Sequence, residues 1–251
     1  MRLARLFLLL AMLWPVGVGA HDLWLTTTPD RPERVVINYG HPQDRPPPAA
    51  EKVLDLRAIT PEETVSLIAE IIPATSLGAP VLASRPIDAA PALLVAEHDN
   101  GYFVKTANGY RNSSKRLFPD AMDSVWSIKF AKTVLGPTAP WNRVLGQELE
   151  IVPQSNPASL APGGRLRVRL LFRGQPLVGA KVERGDGITP IPEKELPVFT
   201  TDGDGITDIP IDKPGPQLLA VDHLVKPSGT PNLADGDLYN ATLFFTVAAP
   251  K

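Results

Sequence analysis

The chain of 251 residues has four imidazoles, His21, His41, His98 and His223, and no cysteine. Without thiols, disulfide frameworks, zinc ribbons, iron–sulfur ligation and thiol nucleophiles are excluded. Neutral imidazole with carboxylate suits Ni(II), Co(II), Cu(II) or Zn(II), and only three methionines disfavour a soft Cu(I) site. His21 stands out because of what precedes it. Arg2 and Arg5 begin the chain, Leu6 to Val16 run apolar, and Val18 and Ala20 occupy the small-residue positions a signal peptidase requires. The apolar run is too short to cross about 30 Å of hydrocarbon, so a cleaved signal peptide over residues 1–20 is expected and no membrane span remains after it. Cleavage makes His21 the first residue, whose α-amine and Nδ1 close one chelate ring, a donor set for Cu(II) and Ni(II).

The expected metal ligands are His21, His41, His223 and Asp22. His41 sits between Gly40 and Pro42 at a strand end, and His223 ends a strand beside Asp222, a second candidate carboxylate. Neighbours on a strand face opposite sides, so at most one of each His–Asp pair is expected at the same ion. His98, in the run Glu97-His98-Asp99-Asn100-Gly101, reads as a solvated hairpin-turn residue.

Other chemistry is sparse. There is no G-x-S-x-G, no H-E-x-x-H and no phosphate-cradling glycine loop, so no enzyme is expected. Asp202-Gly203-Asp204-Gly205 resembles part of a calcium loop, but Lys213 stands where the bidentate Glu belongs, and a β-turn is expected. Arg165, Arg167 and Arg169 form one solvated strand face. Lys+Arg 25 against Asp+Glu 27 shows no basic excess and no nucleic-acid footprint.

The elements that must position these groups are strands. Pro 28 and Gly 19 suit many turns. Alternation predicts strands at His21–Thr27, Arg34–Tyr39, Pro91–Glu97, Tyr102–Thr106, Val125–Lys132 and Glu148–Val152. It does so again at Arg165–Phe172, Lys181–Arg184, Ile206–Ile211, Gln217–His223 and Tyr239–Val247. Residues 60–72 stay open: Thr60-Pro61-Glu62-Glu63 has a helix-start signature, yet a β-rich chain can draw the segment into a sheet. The expected architecture is all-β, with two Ig-like β-sandwich domains: 21–152, and 153–251 after a linker at Pro153–Pro157.

The C-terminal third resembles the Cna-B, transthyretin and carboxypeptidase-regulatory group of Ig-like sandwiches, through Gly174–Val182, Thr200–Ile211, Pro214–His223 and Tyr239–Val247. The mature chain as a whole is similar to the NikM-like periplasmic proteins. The carrying residues are Ala20–Leu25, Gly40-His41, Gly101–Lys115, the run from Ser124 through Trp141-Asn142 to Gly146, and Leu149–Ala180. That resemblance implies a periplasmic nickel or cobalt uptake accessory, with copper as the alternate metal. The expected partners are the metal ion and a membrane permease or receptor. Two other readings stand beside it. One is a non-catalytic sandwich module docking to a membrane partner, its histidines incidental. The other is a copper oxidase built on an N-terminal histidine, which the shortage of aromatic residues for a flat substrate face disfavours.

Overall fold

The computed structural model describes residues 21–27, 33–68, 71–74, 81–86 and 91–250. The expected signal peptide over 1–20 lies outside them. The described strands are β1 (Asp22–Thr27), β2 (Arg34–Gly40), β3 (Val53–Ile59), β4 (Thr64–Ser66), β5 (Ile72–Ala74) and β6 (Val81–Pro86). They continue as β7 (Ala92–Thr106), β8 (Gly109–Asn112), β9 (Asp123–Leu135), β10 (Leu149–Pro153), β11 (Gly164–Phe172) and β12 (Gln175–Pro176). The last are β13 (Lys181–Gly185), β14 (Val198–Thr200), β15 (Ile206–Ile211), β16 (Gly215–Val225) and β17 (Gly236–Val247). The protein is all-β, as alternation predicts. Among the described residues no helix is long and apolar enough to cross a membrane.

The strands stack in three layers. The central sheet runs β14-β13-β16-β17-β9-β7-β3-β4, with β8 added on β7. A strand's side chains alternate between faces, so this sheet presents two different surfaces. Val95, Phe130, Leu219 and Leu243 face one way and pack on Leu149 and Ile151 of β10, Leu166 and Val168 of β11, and Ile209 of β15. Leu94, Ala96 and Ala131 face the other way and pack on Leu23, Leu25, Val35 and Ile37 of the small sheet β1-β2-β6-β5. Two short bonds fasten β1 to the central sheet: Thr133 Oγ1 donates to Leu25 O (2.7 Å) and Thr242 Oγ1 to Leu23 O (2.5 Å).

The ladder between β9 and β17 is parallel and places Asn240 opposite Lys129. This pairing hydrogen-bonds segments on either side of the expected linker at Pro153–Pro157, so the central sheet runs through both expected sandwiches.

One expectation changes and one open segment is decided. The turn expected at His98–Gly101 is instead the middle of one long strand, β7. A register shift between Asp99 and Gly101 absorbs the Asn-Gly pair as a bulge, with Gly101 at φ +85°. The reason is tertiary: β9 offers β7 a partner along its whole length, which outweighs local turn chemistry. In the open segment 60–72, Thr60 Oγ1 does accept from the backbone N–H of Glu62 and Glu63, but the turn leads into β4, paired back on β3. The face of β9 that carries Ser127 and Lys129 packs under β1, and both residues are buried.

Candidate functional site

A row of polar residues crosses the central sheet on the face covered by the small sheet. The registers place His98 of β7 opposite Lys129 of β9, Lys129 opposite Asn240 of β17, and Asn240 opposite Asp222 of β16. Partners in a ladder project to the same side, so the four share one surface. Beyond this row the face turns apolar, through Ala96 and Ala131.

Over the row hangs one end of the small sheet. Asp22 opens β1 opposite Gly40, which closes β2, so His21, Asp22, Tyr39 and His41 meet at that end. Gly40 is required there: its φ is +108°, and a Cβ would lie 2.2 Å from Asp44 O. The tight turn it permits is closed by His41 N–H to Asp44 O (2.9 Å) and Asp44 N–H to His41 O (3.0 Å).

The imidazoles of His21 and His41 lie edge to face with centroids 5.4 Å apart. His21 Nε2 stands 3.9 Å from Asp44 Oδ2. Tyr39 packs 5.2 Å from His21 on one side and 5.5 Å from His98 on the other, and its hydroxyl donates to Asn100 Oδ1 (2.8 Å). Burial lowers the pKa of both His21 and His41, and the charge of Lys129 adds to the lowering, so both rings favour their neutral, donor-capable form. Among the described residues, no group of three or more His, Asp or Glu side chains is close enough as placed to hold a metal ion.

The row beneath is under-satisfied. His98 is 2% exposed and neither ring nitrogen has a hydrogen-bond partner. Burial, then the charges of Lys129 and Lys52, take its pKa down to about 4. Lys129 is 0% exposed and its Nζ also lacks a partner; burial lowers its pKa, opposed by Asp222 and Asp22. Asn240 donates from Nδ2 to Asp22 Oδ1 (3.1 Å) and Asp222 Oδ1 (2.9 Å), leaving Oδ1 unpartnered. Burial first, then the neighbouring Asp222, push Asp22 up to about 7. Burial raises Asp222 too, with Lys129 and Asn240 pulling back. Asp222 nevertheless keeps solvent contact, being on the floor of an open concavity, which limits what that burial costs.

The expected ligands therefore separate. His21 and His41 come together. Asp22 is beside them but is turned onto Asn240, next to Asp222. His223 lies on the opposite face of the central sheet, its ring 4.5 Å from Phe172. Alternation decides this: Asp222 and His223 cannot both face the row. Asp202 spends its Oδ1 on the N–H groups of Asp204 and Ile206, as a β-turn requires. Asp44, Lys129 and Asn240 were not singled out by the sequence, and His98, expected as a solvated turn residue, is buried. Asp44 had a local signal, three residues after His41 across a proline; the others are gathered only by register.

Residues 18–225 match the family described as a domain of unknown function, DUF4198. The chain is 26% identical over 183 residues to an uncharacterized protein of Haemophilus influenzae, covering 69% of this chain and 71% of that protein. The D0-D1 domain of intimin aligns with 89% of this chain and 97% of its own at 10% identity, but a TM-score of 0.22 carries no argument about fold or function. With most of its length matched, the chain belongs to the DUF4198 family.

Proposed function

We propose that the protein binds a divalent transition metal at the His21/His41 end of the small sheet, as a non-catalytic periplasmic accessory to metal uptake. The observation that carries this reading is the convergence of two imidazoles, at the paired ends of β1 and β2, to 5.4 Å beside the Asp44 carboxylate. Cleavage after Ala20 adds the α-amine of His21, a nitrogen donor that is no side chain. Two residues then supply three nitrogens, and Asp44 supplies an oxygen. Nickel or cobalt is favoured by the resemblance of Ala20–Leu25, Gly40-His41 and Gly101–Lys115 to the NikM-like proteins, and copper is the alternate metal because the amine–imidazole chelate suits it.

The test is a titration with nickel, cobalt, copper and zinc of protein exported with its own signal peptide. Stoichiometric binding is expected. One alanine inserted before His21, or His41→Ala, is expected to weaken it by about tenfold or more, the scale on which metal sites respond to a lost supporting group. Equal affinity in all three proteins, or binding of none of the metals, overturns the reading.

A further inference from the structure

Beside the imidazole pair is a cavity of about 290 Å³ whose floor holds Asp22, Asp222 and Asn240. The single Asn240 amide gathers both carboxylates, and its own Oδ1, in a side chain only 1% exposed, is left without a partner. Glu183 and Glu193 stand on the wall, and among the described residues Lys181 and the imidazole of His41 are its basic lining groups. Asp186 also lines the cavity, but its carboxylate is occupied by the N–H groups of Ile188 and Thr189 and the Thr189 hydroxyl. Burial, then Glu193 and Asp222, push Glu183 up to about 7, as acids do when held together short of positive charge. Lys129, beneath this floor, is drawn toward Asp22 and Asp222 but reaches neither: its Nζ makes no hydrogen bond. The remaining wall is apolar, with Ile191, Leu196 and Leu218.

We propose that this cavity binds a small organic cation, a primary ammonium on a short apolar body. An ammonium has three N–H donors and no acceptor; the floor offers it the carboxylates of Asp22 and Asp222, with Glu183 beside them on the wall. The acidic wall selects the charge, and the apolar wall receives a hydrocarbon stem, for which a hydrated metal ion has no use. A space of this volume holds such a molecule, being near the lower end of small-ligand sites. The inference does not depend on the metal reading, because it is tested on protein stripped of metal by a chelator that is removed before the titration.

The experiment is backbone-amide NMR titration of the chelator-treated protein with n-butylamine, with 1-butanol and magnesium chloride as matched probes. Butylamine is expected to shift amides in residues 181–185, 218–222 and around Asn240, and 1-butanol and magnesium are not. Asp222→Asn is expected to weaken butylamine by about tenfold or more, the scale of one charge-assisted hydrogen bond lost from a site. Glu183→Gln on the wall serves as the second variant should the floor variant fail to fold, with a smaller loss expected. No butylamine shifts, equal shifts from 1-butanol, the same shifts from magnesium, or unchanged affinity in the variants overturns the proposal.

Discussion

Strand β9 buries two lysines three residues apart, on opposite faces, and the protein treats them oppositely. Lys132, 1% exposed, gives its Nζ to Glu150 Oε1 at 2.5 Å and to the carbonyls of Arg143 and Ile151. Glu150 in turn accepts the N–H groups of Leu145 and Gly146. Every partner needed to bury that charge is in place. Lys129 is buried as deeply, yet its ammonium has no partner, and it shares its row with a histidine and an asparagine that are also short of partners. A buried ion pair with complete bonding holds a loop to a sheet. Orphaned buried polar groups cost stability, and several in one row mark a surface shaped for something other than stability.

That contrast can be broken in three ways. The largest effect is expected from Lys132→Met, which strands Glu150 and should cost about 3–5 kcal/mol in denaturant unfolding; a cost below about 1 kcal/mol would erase the distinction. Adding Glu150→Gln should recover part of the loss, because the amide oxygen still accepts from the Leu145–Gly146 turn.

The next effect is on pH dependence. His98 has a folded pKa near 4 against 6.5 unfolded. Between these values the unfolded chain binds more protons, so stability rises with pH across the window and is lost on acidification from 6.5 toward 4. His98→Leu should flatten that rise. Glu183 titrates near 7 in the fold against 4.5 unfolded. Here the folded state binds more protons, so its contribution falls as pH climbs from 4.5 to 7, and Glu183→Gln should remove the fall. Unfolding of the metal-free variants across pH 4–8 reads both slopes, and slopes unchanged from the parent would contradict them.

The smallest effect is expected from Lys129→Met. No hydrogen bond is given up, so stability should change by less than about 1 kcal/mol, or rise. A loss as large as that of Lys132→Met would mean that Lys129 is as much a structural member as Lys132.

The positions of most of the longer strands along the chain were legible because alternation and turn chemistry are local. Arg165–Phe172 and Tyr239–Val247, for example, announce themselves by their own residues. The Asn100-Gly101 pair misled for the same reason: it is a strong turn signal by itself, overruled by a partner strand the local sequence does not contain. His21, His41 and His223 drew attention alike because imidazole is scarce and each stands at a strand end, but the structure brings only the first two together. Nothing within β9 says that β1 will lie across Ser127 and Lys129.

By itself, then, the sequence determined an all-β chain, the faces of its strands and two imidazoles available for chemistry, all properties of residues within a few positions of one another. Only the tertiary structure decided that Asp222 joins Asp22 while His223 goes to the far face, and that Lys129 lies opposite Asn240 and His98. Those are matters of register between strands remote in the chain, where a shift of one residue turns every side chain to the other surface.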